Sequence, residues 1–351
     1  MVKKNKYEVA LITDGNASIG MGHIMRCSAI ADALNDLGLD VLFIVSDKDS
    51  EEIVNSLGYN TERLECDYRD LSNEAELIKE ILVKYKTGFA FFDSYYVGNE
   101  LFEAVSLTCP VGCFGYGKKY YKGMSLIVPY GISSNKKWYE ETFELQRTTV
   151  LFGSKYIPLK KCFWCSQADS KIYEPSRLLL TCGGADPLGI TEALVSEIRD
   201  TGIGIQIDVV VGKFFDDEKL KAGCKKHSNV VFHEGLNDLS SLMHSRTVAI
   251  SSGGTTIYEL MASCVPTIAY AIADNQLGNE KLDGALVWCG DVRENGILNH
   301  LAVKRIVSTL DMLIKDPQKR KALIENGRKI CDGHGAERIA YEIRRLSLQN
   351  L

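Results

Sequence analysis

A chain of 351 residues in which 45% are hydrophobic and 25% charged has the composition of a soluble globular protein, and its length suits two domains better than one. The formal net charge of −5 and the lack of a long basic block exclude a protein built around a nucleic-acid or anionic-membrane surface. A nucleotide-sized anion remains compatible with that charge, because helix N-termini bind phosphate without net positive charge.

The first apolar run, Tyr7 to Thr13, is short, contains Glu8 and stops at Asp14, so it predicts a strand and neither a signal peptide nor a membrane span. Without an export signal, the eleven cysteines predict reduced thiols and a cytoplasmic location rather than a disulfide framework. Next comes the glycine-rich stretch from Asp14 to Cys27, then a helical pattern from Ser28 to Leu37 that carries Ile30, Ala31, Ala33 and Leu34 on one stripe. The order strand, turn, helix places His23 at or near a helix N-terminus. Unpaired N–H groups and the helix dipole there favour an anion beside an imidazole able to move protons near neutral pH. A tight turn whose histidine only caps or packs gives the same pattern.

Asp40 to Ser46, Glu51 to Leu57, a helical Glu74 to Lys84, and Gly88 to Asp93 continue an alternation that predicts a parallel sheet with helices on its faces. From Gly131 to Pro175 the chain is richer in charged and aromatic residues and loses that rhythm, as a crossing between domains would. The pair in Cys162-Phe163-Trp164-Cys165 has no second pair or histidines nearby, so no metal site is expected. A second alternating series has strands near Arg177–Cys182, Ile205–Val211, Val230–His233, Thr247–Ser251 and Thr267–Ala271. Helices are predicted over Asp238–His244, Thr256–Ala262 and Asn275–Ala285, with long helical patterns over Leu301–Ile330 and Ala336–Leu346. The expected architecture is α/β: two doubly wound, Rossmann-like domains facing each other across a cleft. They span 1–150 and 176–335, with a linker over 151–175 and a C-terminal helix over 336–351.

In such sheets ligands bind outside the carboxyl ends of the strands, and four polar, glycine-rich loops fall there. They are the His23 turn, Asp93-Ser94-Tyr95-Tyr96, Cys182-Gly183-Gly184-Ala185-Asp186-Pro187, and Ser251-Ser252-Gly253-Gly254-Thr255-Thr256. Gly253 and Gly254 allow close approach of a phosphate, Thr255 and Thr256 supply hydroxyls or a helix cap, and Glu259 lies one turn in, within reach of a ribose. The Ala271–Gln276 loop would meet a sugar or base, or cap the next helix. Neither a phosphate-loop sequence nor a complete dinucleotide glycine fingerprint is present, although Asp47 after the second strand keeps a nicotinamide reading open.

The run Asp14 to Cys27, with Ile19-Gly20-x-Gly22-His23-x-x-Arg26, resembles the signature of the UDP-2,4-diacetamido-2,4,6-trideoxy-β-L-altropyranose hydrolases of pseudaminic acid synthesis, which spore-coat polysaccharide proteins share. The resemblance continues through Asp93-x-Tyr95, Leu151 to Tyr156, Gly183-Gly184-x-Asp186-Pro187, Ser252-Gly253-Gly254-Thr255-Thr256 and Asp274-Asn275-Gln276, and departs at Thr13, Cys182, Ala185 and Tyr258. It implies the GT-B fold of MurG-like glycosyltransferases, with UDP held mainly by the C-terminal domain and the sugar presented to the N-terminal one. By the same resemblance His23 is the catalytic histidine and Tyr95 its companion. Asp14, Gly20, Gly22, Arg26, Asp93, Gly183, Gly184, Asp186 and Ser252 belong to substrate-binding motifs. Gly253, Gly254 and Thr255, with Thr256 beside them, line the diphosphate, Glu259 the ribose, and Asn275 and Gln276 the sugar or diphosphate. The implied reaction is inverting hydrolysis that needs no metal or cofactor, serving surface-polysaccharide or flagellin glycosylation; a monomer is expected, although the sequence does not fix the oligomeric state. A GT-B glycosyltransferase using a UDP-amino sugar and a non-catalytic nucleotide-sugar binding protein are the alternatives.

Overall fold

Val9–Thr13, Val41–Val45 and Phe89–Asp93 are buried along their whole lengths, as strands covered on both faces of a parallel sheet must be. The computed structural model describes residues 4–16, 18–132, 134–143, 147–164, 177–212, 215, 217–224, 229–236 and 239–348. Ala17, Cys165 with the rest of the expected linker, Asp238 and the last three residues lie outside that set. The chain divides into two compact units, Met1–Lys161 with His334–Leu351, and Cys162–Gly333.

In the first unit the order is β1 (Val9–Thr13), α1 (Gly22–Asp36), β2 (Val41–Val45), α2 (Lys48–Ser56), β3 (Asn60–Arg63), α3 (Ala75–Lys84), β4 (Phe89–Asp93), α4 (Asn99–Ser106), β5 (Val111–Phe114), β6 (Met124–Val128), α5 (Lys136–Thr142) and β7 (Thr149–Val150). A 3-10 helix, Tyr68–Glu74, leads into α3. The strands form one parallel sheet in the order β3-β2-β1-β4-β5-β6-β7. The stripe of α1 predicted from Ile30 to Leu34 packs on one face with Val9, Leu11, Phe43 and Phe91, and the other face carries a second core built on Ile12, Ile44 and Phe92. Glu51–Ser56 of the alternating pattern lies within α2, because Asp47 accepts the Ser50 N–H at 2.7 Å and starts a helix there.

The second unit holds β8 (Arg177–Thr181), α6 (Ile190–Asp200), β9 (Gln206–Val210), α7 (Asp217–Cys224), β10 (Val230–His233), α8 (Ser240–Ser245), β11 (Val248–Ser252), α9 (Thr256–Ala262), β12 (Thr267–Ala271), β13 (Val287–Asp291), a small hairpin of β14 (Arg293–Glu294) and β15 (Ile297–Leu298), α10 (His300–Lys315) and α11 (Pro317–Ile330). Its parallel sheet runs β10-β9-β8-β11-β12-β13, so both units share the Rossmann order of strands. Two expectations are corrected. The segment predicted as a helix over Asn275–Ala285 is a 3-10 helix, Asp274–Leu282, and the pattern over Leu301–Ile330 is two helices. Pro317 cannot continue α10, and Asp316 accepts the Lys319 N–H at 2.8 Å to begin α11.

α12 (Gly335–Leu348) returns to the first unit, where Ala336, Ile339, Ala340 and Ile343 join the core that holds α1. Arg338 donates to the Lys155 carbonyl at 2.8 Å.

Candidate functional site

Strand order reverses between β1 and β4, and the register pairs Thr13 with Asp93 at their carboxyl ends. The turn after β1 and the loop after β4 therefore open side by side. Asn16 shapes the turn: its side-chain oxygen accepts the Ser18 and Ile19 N–H groups at 2.9 and 3.2 Å. Gly20 sits at φ +73°, a conformation glycine adopts without strain, and α1 starts two residues later. No side chain caps α1, and Gly22 is its first residue.

His23 is 5% exposed. Its Nδ1 lies 3.1 Å from the Asp93 carbonyl and 3.0 Å from Asp93 Oδ1. Both neighbours accept hydrogen bonds, so the neutral ring carries its proton on Nδ1 and leaves a lone pair on Nε2. Tyr95 meets the imidazole edge to face, with centroids 4.7 Å apart.

The Asp93 carboxylate is wholly buried and turned toward protein partners. Arg26 grips it through Nε at 2.5 Å and Nη2 at 2.7 Å, Tyr116 donates its hydroxyl at 2.7 Å, and the Cys27 thiol donates at 3.7 Å. Burial by itself would raise this carboxyl, but the charge of Arg26 and the hydrogen bonds from His23 and Arg26 overcome it and hold Asp93 well below the usual carboxylate range. Asp14 is the opposite case. Burial raises its carboxyl above the ordinary value although Ser46 donates both its N–H and its hydroxyl, at 2.7 and 2.8 Å. Asp14, Ile19, His23, Tyr68, Asp93, Ser94, Tyr95 and Tyr96 line one recess.

The second unit repeats the arrangement at its own reversal point, between β8 and β11. Thr181 pairs with Ser251, and a Cβ placed on Gly183 would lie 3.6 Å from Ser252 Oγ, so the two glycine turns touch. Gly183 has φ +84°. Gly253 N–H is spent on the Tyr270 carbonyl at 2.7 Å, and Asn279 Nδ2 donates to the Gly253 carbonyl at 2.7 Å. Gly254, Thr255 and Thr256 follow with no side-chain cap on α9, and space beside Gly254 is open. Glu259 lies in the first turn of α9.

Two predicted residues are committed to local bonds. Asp186 accepts the Ile190 and Thr191 N–H groups at 2.9 and 2.8 Å, which fixes the start of α6. Gln276 accepts the Ile272 N–H at 2.9 Å, whereas Asn275 is exposed. Tyr116, Asn279 and Gly212 were not singled out from sequence. Tyr116 had a usable signal, since it follows β5, the strand beside β4. Gly212, just after β9, had none: a Cβ there would fall 2.4 Å from the Gly183 carbonyl oxygen and 2.6 Å from the Gly184 carbonyl carbon. Gly212→Ala should displace that turn and destabilise the second unit by about 1–3 kcal/mol, read as a lower unfolding midpoint.

Among the described residues no group of three His, Cys, Asp or Glu side chains is placed to hold a metal, and no helix is long and apolar enough to cross a membrane.

No protein-family model matches the chain. It is 21% identical over 349 residues to the spore coat polysaccharide biosynthesis protein SpsG of Bacillus subtilis, covering 98% of this chain and 99% of SpsG. To the pseudaminic acid cytidylyltransferase and UDP-2,4-diacetamido-2,4,6-trideoxy-beta-L-altropyranose hydrolase of Helicobacter pylori it is 22% identical over 326 residues, 92% of this chain and 53% of that protein. An uncharacterized protein of Methanocaldococcus jannaschii is 24% identical over 80% of this chain and 58% of its own length. The chain thus spans little more than half the length of two of these relatives. Among solved structures, MurG of Acinetobacter baumannii matches with a TM-score of 0.70 at 13% identity, covering 96% of this chain and 99% of MurG. The fold is GT-B. UDP-GlcNAc 2-epimerase of Neisseria meningitidis, bound to UDP-GlcNAc, shares it with a TM-score of 0.65 at 13% identity, over 96% of this chain and 100% of the epimerase.

Proposed function

We propose that this protein is a nucleotide-sugar hydrolase that releases UDP from a UDP-linked 2,4-diacetamido-2,4,6-trideoxyhexose, in pseudaminic acid-type nonulosonate synthesis. The observation that carries the proposal is the His23 arrangement: Nδ1 is fixed on Asp93, and Asp93 is fixed by Arg26 and Tyr116. The H. pylori relative, named for that hydrolysis, supports the choice of substrate.

In this mechanism His23 Nε2 takes a proton from water as the water oxygen bonds to the anomeric carbon. The bond from that carbon to the diphosphate oxygen breaks, and UDP leaves with the electron pair. Direct displacement inverts the anomeric centre. A base of this kind contributes about 10²–10⁴-fold in rate. Asp93 and Arg26 are positioning residues, which hold the ring in its basic tautomer and stabilise the imidazolium that forms. Tyr95 packs on the ring edge. The backbone N–H groups of Gly254 to Thr256 take the charge that grows on the leaving diphosphate, and Glu259 accepts from the ribose hydroxyls. The reaction so written needs no metal.

A second reading, a glycosyltransferase passing the sugar to an acceptor hydroxyl, is favoured by the likeness to MurG. One assay separates the two. A panel of UDP-linked sugars that includes the diacetamido compound is incubated with the protein and no acceptor, and free UDP is followed. Hydrolysis predicts UDP release; an intact panel whose sugar passes to an added acceptor establishes the transferase. Binding without either reaction leaves only a nucleotide-sugar binding protein.

A further inference from the structure

The mechanism above uses His23, Asp93 and Tyr95 of this recess and leaves Ile19, Tyr68 and Tyr96 without a task. Ile19 from the turn after β1, Tyr68 from the 3-10 helix after β3, and Tyr95 and Tyr96 from the loop after β4 line it together with Asp14, His23, Asp93 and Ser94. Tyr95 is 54% and Tyr96 43% exposed, so aromatic carbon lies open to solvent beside His23.

Tyr68 and Tyr96 form a built pair rather than two loose side chains. Their rings meet edge to face with centroids 5.6 Å apart and planes at 72°. Arg69 lays its guanidinium over Tyr68 at 5.4 Å, and Asp67 anchors that guanidinium at 3.0 Å. The Tyr96 N–H donates to Ser94 Oγ at 3.1 Å, which sets the loop. The bonds that set the tautomer of His23 come from Asp93, itself held by Arg26 and Tyr116, and not from this pair.

A recess whose lining joins His23 and Ser94 to the aromatic carbon of Tyr68 and Tyr96 suits a sugar that carries both polar and methyl groups. Ring oxygens and amide groups find polar partners, while methyl groups find aromatic carbon. We infer that Tyr68 and Tyr96 are the specificity-determining wall of this recess, receiving the C6 methyl of a 6-deoxy sugar and rejecting a C6 hydroxyl. A hydroxyl placed there gives up its bonds to water against a largely apolar surface. The inference rests on the nucleotide-sugar reading but not on hydrolysis.

The test is a comparison of dissociation constants for two UDP-linked sugars that differ only at C6, methyl against hydroxymethyl. It is run on the full chain carrying His23→Ala, so that no turnover distorts binding. The deoxy sugar should bind more tightly by on the order of tenfold or more, and the combined Tyr68→Ala and Tyr96→Ala chain should bring the ratio to within about threefold of unity. Tyr68→Phe and Tyr96→Phe should keep the preference, since the aromatic surface remains. Affinity for UDP alone checks that each variant is folded, and single Tyr68→Leu and Tyr96→Leu chains carry the comparison if the double alanine chain is not. No preference with both rings present, or a preference that survives loss of both rings, overturns the inference. Failure of the parent chain to release UDP, with the preference intact, overturns hydrolysis and leaves the wall in place.

Discussion

Replacing His23 by alanine is expected to lower UDP release by about 10²–10⁴-fold while leaving affinity for UDP unchanged. The magnitude follows from what the side chain does in the proposed reaction: without an acceptor for its proton, water attacks the anomeric carbon as a poor nucleophile. UDP affinity is spared because the groups proposed to hold the diphosphate, from Gly254 to Thr256, follow β11 in the second unit. Steady-state kinetics together with calorimetric UDP titration check both halves of the statement. Retained turnover would remove His23 from the chemistry, and lost UDP affinity would make its role binding rather than catalysis.

Asp93→Asn is expected to have the largest effect on stability. The substitution keeps the shape of the side chain but leaves the Arg26 guanidinium, packed over the ring of Phe114 at 5.2 Å, without its counter-charge. Breaking a buried pair in this way costs about 3–5 kcal/mol. The amide can also present a donor to His23 Nδ1, which favours the tautomer with its proton on Nε2 and removes the base. Turnover should therefore fall even at temperatures where the variant is folded.

The same ion pair sets a pH dependence. Asp93 titrates below the usual carboxylate range in the folded chain, against about 3.9 when unfolded, so its contribution is fully present above roughly pH 5 and declines as pH falls below about 4. Denaturation midpoints measured across that range should fall more steeply for the wild-type chain than for the Asp93→Asn variant. Parallel curves would mean that Asp93 is not held charged by Arg26.

Much of this was legible in the chain because parallel strands covered on both faces must be apolar throughout. Val9–Thr13, Phe89–Asp93 and Val248–Ser252 announce themselves, and the polar residues that end such runs mark where ligands bind. Other strands left no trace. Asn60–Arg63 is an edge strand reading Asn-Thr-Glu-Arg, with no alternation to detect, and Thr149–Val150 is two residues long. The glycine-rich turns at the strand ends were visible in the sequence, but their supports were not. Gly212 matters only because the Gly183 and Gly184 backbone lies against it, and Asn279 because it bonds back to Gly253 across 26 positions. Contacts of that kind depend on the order of strands in the sheet, which local pattern does not encode. Asp93 shows the same limit. Its place at a strand end marked it as part of the site, whereas its burial behind His23, on Arg26 and Tyr116, emerged only once β1, β4 and β5 were set side by side.

Turnover of the UDP-linked diacetamido sugar in oxygen-18-labelled water, with both products weighed by mass spectrometry, bears most directly on the proposed reaction. Attack of water on the anomeric carbon, activated by His23, predicts UDP released without any acceptor and free of label, because the carbon–oxygen bond is the one that breaks. Label in the UDP phosphate, or UDP that appears only after an acceptor is added, would contradict it.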